Sequence, residues 1–521
     1  MAGNHGENVG MSVTIDHVFR WWGSEQGERT ALVFGDRRVS FATLNAWVGR
    51  VASEFAQAGV GVGERVTIYA ANSLEYCVAA LACLRCGGII TGLNNRMVTP
   101  EVMYLLGDYA PAVLITDEEC AARLPERLEI ISPTGEPVKQ PVRISISEIG
   151  ASRQGDPADI RREVDPNSPA VIVTTSGSTA RPKGVMWSNR TIIDYNHAYS
   201  LEDPLDVAHP KLLVVAPFST SAGLVQFLQA ILMGGTAYLA PKFDAAEALA
   251  TIATERITIF CGAPIFFQRI AELPAFAGAD VASIQIAQTG GAAVDPKLLK
   301  LWADKGVLVR QIYGQTECGG TAVANPRRFA LTHPECCGHG GALRDVAIIG
   351  PGGEFLPQGE VGQIVLRGPG VMLGYWNNPK ATAEVLVDGW LRTGDLGVFN
   401  ELGLLRFVDR AKDMIISGGL NVSAAEVERV IMEYAGVSEV AVLSAPDPVF
   451  SETPFAVVYG DERVTVQALF DHCRQNLSSY KLPRYIELRE EPLPRLATGK
   501  ISKVAIRKLY PMPEKLPQRI N

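Results

Sequence analysis

Residues Thr174 to Gly184 read Thr-Thr-Ser-Gly-Ser-Thr-Ala-Arg-Pro-Lys-Gly, directly after the apolar run Val171-Ile172-Val173. A loop this rich in hydroxyls and glycine can turn several N–H and O–H donors toward one phosphate. Lys183 then adds a positive charge at close range. The Walker A pattern nearly fits from Gly177 to Lys183 but fails twice. Pro182 removes a backbone donor where a glycine belongs, and Gly184 stands where a magnesium-binding hydroxyl belongs. Alone, the loop could be a Ser/Gly surface turn. It has company: Tyr313-Gly314-Gln315-Thr316-Glu317 after the apolar stretch from Val307 to Ile312, then Gly389 to Asp395, Asp409 to Asp413, and Pro494 to Ile501.

In this order the segments resemble the superfamily of adenylate-forming enzymes, namely acyl-CoA synthetases, adenylation domains of peptide synthetases and luciferases. The resemblance runs from about residue 30 almost to the C-terminus and is closest to acyl- and aryl-CoA ligases. It implies ATP, Mg2+ and coenzyme A as cofactors and a small carboxylic acid as substrate. A carboxylate is a poor electrophile because its leaving group would be oxide. Attack on the α-phosphate of ATP converts that oxide into AMP and releases pyrophosphate, and a thiol then displaces AMP. The transition state gathers negative charge between two anions, so cations and aimed donors must meet in a site with little water. The resemblance leaves three outcomes open. The acyl group passes to free CoA, or it passes to a carrier-protein thiol or partner enzyme, or the chain is a non-catalytic nucleotide-binding paralogue. Nothing in the sequence demands the oxygen chemistry of luciferases.

By that resemblance, Thr175, Ser176, Gly177, Ser178, Thr179 and Lys183 hold the β- and γ-phosphates. Gly291, Ala292, Tyr313 and Gly314 match the adenine side, with the Tyr313 ring against the base, although its apolar neighbours also suit a core aromatic. Thr316 matches a hydroxyl donor to the α-phosphate and Glu317 the magnesium carboxylate, a hard ion taking its other ligands from phosphate and water. Asp395 matches the acceptor of the ribose hydroxyls and Arg410 a donor to the same sugar. Lys500 matches the lysine between substrate carboxylate and α-phosphate. Lys412 falls at the family's hinge, where it would otherwise be a solvated charge, and Gly418 and Gly419 lie on the segment that meets the pantetheine arm.

The acid pocket departs from the family. Many relatives carry an aromatic-His pair where this chain has Ser219 and Thr220, and the smaller side chains predict a wider entrance suited to a bulky acid. No Asp or Glu lies between Ala216 and Gly235 to pair with an ammonium, which disfavours a free α-amino acid. Phe266, Phe267 and Gln288 are expected at the pocket floor. Ala180 stands where most relatives have glycine.

These residues need a scaffold, and the patterning predicts an α/β chain. A large N-terminal domain (1–411) of two doubly wound subdomains and a small β-barrel-like one precedes a smaller, mobile α+β C-terminal domain (412–521). Phe41 to Ala58 and Ser73 to Arg85 are helix-like, whereas Arg65 to Ala70 and Ala112 to Ile115 are strand-like, so residues 13 to about 150 read as one parallel sheet. A second alternating unit runs from Val171 to about Asn325. Val346 to Ile349 and Gln363 to Leu366 read as a hairpin. In the last unit, Ser423 to Glu426 is a capping-box pattern ahead of an apolar stripe at Val427, Val430, Ile431 and Tyr434, and Gly436 stops the helix. Strands at Val440 to Leu443 and Phe455 to Tyr459 and a helix from Val466 to Leu477 follow.

The 521 residues, 47% hydrophobic and 20% charged, describe a soluble multidomain protein. A net charge of −8 argues against nucleic acid and anionic membranes. Nine cysteines, an odd number, and a polar start from Met1 to Met11 predict free thiols in the cytoplasm. No apolar run reaches the ~18 residues of a membrane span. The composition is compatible with a homodimer. Cys83 and Cys86 have C-x-x-C spacing but read as buried helix cysteines, and His333, Cys336, Cys337 and His339 are a poor tetrahedral set because adjacent cysteines rarely share one ion.

Overall fold

The computed structural model describes residues 13–153, 160–175, 182–291, 294–410, 413–417, 420–496 and 500–520. Ser176, Gly177, Ser178, Thr179, Ala292, Lys412, Gly418 and Gly419 lie outside the described residues.

Helix Phe41–Gln57 forms because the Ser40 hydroxyl accepts the Thr43 N–H at its start. Its residues Leu44, Trp47, Val48, Val51 and Phe55 recur at helical spacing and are buried. Helix Leu74–Arg85 is buried on every side, which suits its low polarity, and it touches strands of two different sheets. Ser73 caps it through Tyr76 N–H.

The first sheet runs Gly374–Tyr375, Lys183–Ser188, Pro169–Thr175, Ile89–Leu93, Arg65–Tyr69, Val113–Thr116, Val142–Ser145. The second runs Val323–Ala324, Val309–Tyr313, Ile286–Gly290, Ile259–Gly262, Lys211–Val214, Thr236–Leu239, Thr30–Phe34, Arg37–Ser40. Both are mainly parallel with antiparallel hairpins at their edges. The two subdomains do not divide along the chain as the patterning predicts. The early hairpin 30–40 joins the second sheet, and the hairpin 169–188 joins the first. Each run pairs where its apolar faces find cover, and a local pattern carries no record of that partner.

A third, antiparallel sheet orders Asp345–Ile349, Gly362–Arg367, Trp390–Phe399 and Leu386–Val387, with Leu405–Arg410 also on Trp390–Phe399. The expected hairpin is present, Val346 opposite Leu366. The fourth sheet draws only on residues from 415 onward: Leu420–Val422, Ile415–Ser417, Ser451–Gly460 and Val437–Asp447, with Tyr485–Arg489 parallel to Ser451–Gly460. Helix Ala424–Met432 buries Val427, Val430 and Ile431 against it. Ser423 caps that helix through Glu426 N–H, but the reciprocal half of the box goes elsewhere: the Glu426 carboxylate takes both 2.7 and 2.8 Å bonds from Lys481. A full cation outcompetes one backbone N–H for a carboxylate.

Candidate active site

Two of the expected site segments follow directly on the carboxyl ends of paired parallel strands, where open α/β sheets place ligands. Ile286–Gly290 leads into Gly291, and its neighbour Val309–Tyr313 leads into Gly314. Gly314 has to be glycine, because a Cβ there would stand 1.9 Å from the Gly320 carbonyl oxygen. This close approach folds Thr316–Cys318 into a tight 3-10 turn. Cys318 ties the turn, its sulfur receiving Gln315 N–H at 3.2 Å while its thiol donates to Gln315 O at 3.1 Å.

The strands that flank the hydroxyl-rich loop are held in register, Thr175 opposite Lys183 and Thr174 opposite Gly184. The Thr175 hydroxyl donates to Lys183 O at 3.3 Å. Gly184 is compelled by packing, since a Cβ would meet Ile172 at 2.6 Å and Tyr109 at 3.1 Å, leaving no room for a Walker hydroxyl.

Asp395 and Arg410 face one another across antiparallel strands, Arg410 Nε 3.4 Å from Asp395 Oδ1. The Tyr313 hydroxyl donates to Asp395 Oδ2 at 2.8 Å. Tyr313 is 6% exposed, and its ring stacks with Phe407 at 6.1 Å. Burial and the nearby Asp395 charge push its phenol well above the usual range, which keeps it a donor.

Lys500 arrives from the C-terminal segment and lies on Gly291, where a Cβ would stand 2.2 Å from Lys500 Cε and 2.6 Å from Nζ. Gly291 also has φ +86°, a conformation that suits glycine. Burial depresses the Lys500 pKa, Arg410 depresses it further, and Asp395 partly offsets both. Sequence-distant Gly291, Tyr313, Asp395, Arg410 and Lys500 are thus brought together.

Glu317 and Lys183 meet through Tyr375, a residue the sequence reading missed. The Tyr375 hydroxyl donates to Glu317 Oε1 at 2.9 Å, and Lys183 Nζ sits 4.7 Å from the Tyr375 ring centroid. Its signal was faint: the first of two aromatics after Gly374, ahead of an Asn-Asn-Pro turn. Ser221 was missed as well. Thr316 donates to its hydroxyl at 3.2 Å, so the hydroxyl facing this turn comes from Ser221.

The expected acid-pocket residues separate. Thr220 spends its hydroxyl as the cap of helix Ser221–Leu232, accepting Gly223 N–H and donating to Pro217 O at 2.7 Å. Ser219 is buried against Gly92, whose added Cβ would lie 3.0 Å from Ser219 Cα. Phe267 is fully buried between Phe260 and Trp302 in the core of the second sheet. Its neighbour Phe266 points elsewhere, packs on Phe243 and stays partly exposed. One step along a helix turns a side chain by roughly 100°, and this separates the pair. Gln288 is buried in a polar knot, donating to Asp203 at 2.8 Å and accepting from Tyr199 at 3.4 Å, with Arg310 also bound to Asp203.

Glu317 offers the donor set a magnesium ion accompanied by phosphates would use. Tyr375 engages one carboxylate oxygen, and the other is a hard oxygen ligand of the kind that ion takes. Among the described residues no group of three or more His, Cys, Asp or Glu side chains could hold a metal by itself. Cys83 and Cys86 are buried free thiols at the end of helix Leu74–Arg85, and Cys336 and Cys337 are buried free thiols too. Among the described residues no helix is long and apolar enough to cross a membrane.

Two mainly parallel sheets, a carboxylate–arginine pair and a lysine from the C-terminal segment thus meet in one place. Residues 19–376 match the model of the AMP-binding enzyme family and residues 426–500 that of the AMP-binding enzyme C-terminal domain; the chain belongs to this family. It is 34% identical to a feruloyl-CoA synthase of Amycolatopsis sp over 92% of this chain and 96% of that protein. It is 33% identical to the long-chain-fatty-acid–CoA ligase FadD13 of Mycobacterium tuberculosis, over 91% of this chain and 94% of that one. The o-succinylbenzoate CoA synthetase of Bacillus subtilis, solved with its acyl-adenylate intermediate, superposes with a TM-score of 0.82 at 26% identity, covering 94% of this chain and 97% of its own.

Proposed function

We propose that this chain activates a carboxylic acid with ATP and transfers the acyl group to coenzyme A, giving acyl-CoA, AMP and pyrophosphate. The observation that carries the reading is Lys500 seated on Gly291 beside Asp395 and Arg410. An ammonium there offsets the charge that develops as the acid's carboxylate attacks the α-phosphate. The bonded hydroxyls of Thr316 and Ser221 serve as donors to the α-phosphate, and Asp395, held by Tyr313 and Arg410, accepts the ribose hydroxyls. Lys183, with the loop that includes Ser176 to Thr179, neutralises the outer phosphates. Glu317 would hold a magnesium ion, which would supply further charge neutralisation at the phosphates.

The domain boundary falls at 411/412, with Lys412 as hinge, and the C-terminal domain moves as a lid. Gly418 and Gly419 then meet the thiol arm, and the protein works in the cytoplasm. Free CoA is the acceptor, rather than a carrier-protein thiol or a partner enzyme. The relatives named for feruloyl and long-chain acids put bulky apolar acids first in any substrate panel.

Pyrophosphate release against fatty, aromatic and polycyclic acids, each with and without CoA, tests the reading. Multi-turnover release that requires CoA and yields a thioester supports it. Release indifferent to CoA refutes the free-CoA step, and no acid-dependent release refutes adenylation.

A further inference from the structure

Tyr375 stands at the junction of two site elements that arrive from different sheets. It sits on the short strand Gly374–Tyr375, which pairs with Lys183–Ser188 of the phosphate loop, Tyr375 opposite Val185. Trp376 N–H donates to Gly184 O at 2.7 Å and Leu373 N–H to Met186 O at 2.9 Å, so the strap is fastened to the strand that bears Lys183. Its other end is fastened to the Glu317 turn, where Met372 N–H donates to Glu317 O at 2.9 Å. Gly370 packs there too, a Cβ lying 2.6 Å from Cys318 O. Between these anchors the Tyr375 side chain is 7% exposed, its backbone N–H is held by the Thr382 hydroxyl at 2.9 Å, and it has little freedom to turn.

We propose that Tyr375 is a positioning residue for the metal-bound phosphates: its ring carries the Lys183 ammonium while its hydroxyl orients the Glu317 carboxylate, setting the spacing between the two. The inference rests on the proposed adenylation reaction. The ring face offers its negative quadrupole to Lys183, 4.7 Å from the centroid. The hydroxyl donates to Glu317 Oε1 at 2.9 Å, which holds the carboxylate by that oxygen and leaves the other for a ligand. Toward an ionised carboxylate the phenol acts as donor, because that oxygen can only accept. One side chain thereby fixes a cation and an anion that serve the same polyphosphate.

The test is calorimetric titration of the full-length protein with ATP, with and without Mg2+, for wild type, Tyr375→Phe and Tyr375→Leu. Thioester formation from supplied acyl-adenylate and CoA is measured alongside. Tyr375→Phe keeps the ring and loses the donor; it should lose about tenfold of the affinity that Mg2+ adds, while ATP alone binds as in wild type. Tyr375→Leu loses both functions and should also weaken metal-free ATP severalfold. Thioester formation should persist in both. An unchanged magnesium gain in Tyr375→Phe overturns the proposal. So does an equal loss with and without Mg2+ accompanied by loss of thioester formation, which would make Tyr375 a packing residue. Wild-type protein that binds no ATP refutes the adenylation reading itself, and with it this role.

Discussion

Substituting Gly291 with alanine should separate the two half-reactions. The added Cβ would stand 2.2 Å from Lys500 Cε and 2.6 Å from Nζ. Carbon atoms pack at roughly 3.5 Å, so the lysine must withdraw by about 1.3 Å along its length. A displacement near 1 Å at a reacting centre costs on the order of 100-fold, and removal of one charge-stabilising donor costs roughly 100- to 1,000-fold. Acid-dependent exchange of pyrophosphate into ATP should therefore fall by about that range. The φ of +86° adds backbone strain of roughly 1–2 kcal/mol. In a protein of this size that lowers the melting temperature by a few degrees at most, so folding survives. Thioester formation from supplied acyl-adenylate should fall far less. The double variant Gly291→Ala/Lys500→Ala should be no slower in exchange than Lys500→Ala, since one interaction cannot be lost twice. Wild-type exchange in Gly291→Ala, or additive losses in the double variant, would refute the reasoning.

Two further outcomes follow from the site. Burial and Arg410 favour the neutral form of Lys500, so it deprotonates at lower pH than an ordinary lysine as pH rises. The alkaline limb of kcat/KM for exchange should accordingly lie below the usual lysine range and move upward in Lys500→Arg; a limb at the ordinary value contradicts the depressed pKa. Thr220→Val removes the cap of helix Ser221–Leu232 and should cost about 0.5–2 kcal/mol in denaturant unfolding, with Thr220→Ser close to wild type. An unshifted midpoint would mean that the Thr220 hydroxyl serves the pocket rather than the helix.

The chemistry was legible because it is written in contiguous segments. A loop such as Thr174 to Gly184, or the turn from Tyr313 to Glu317, carries its donors, glycines and charge within a few residues of sequence. Helices were legible for the same reason: Phe41–Gln57 and Leu74–Arg85 start at hydroxyl caps that adjoin their apolar patterns. Pocket geometry was not. Thr220 and Ser221 are neighbours of similar type, and only the position of the helix start assigns one to a cap and the other to Thr316. Phe266 and Phe267 look alike in sequence, yet one packs on Phe243 and the other fills the core.

By itself, the sequence determined which groups are available, a phosphate loop, a carboxylate–arginine pair and a late lysine, because each depends on side-chain chemistry and short-range spacing. Tertiary structure alone decided which sheet each hairpin joins and that Glu426 answers Lys481. It also set Tyr375 between Lys183 and Glu317, and Lys500 on a glycine more than two hundred positions earlier in the chain. Those outcomes depend on which buried faces meet and which charges compete for one partner, and neither is encoded within any single stretch of residues.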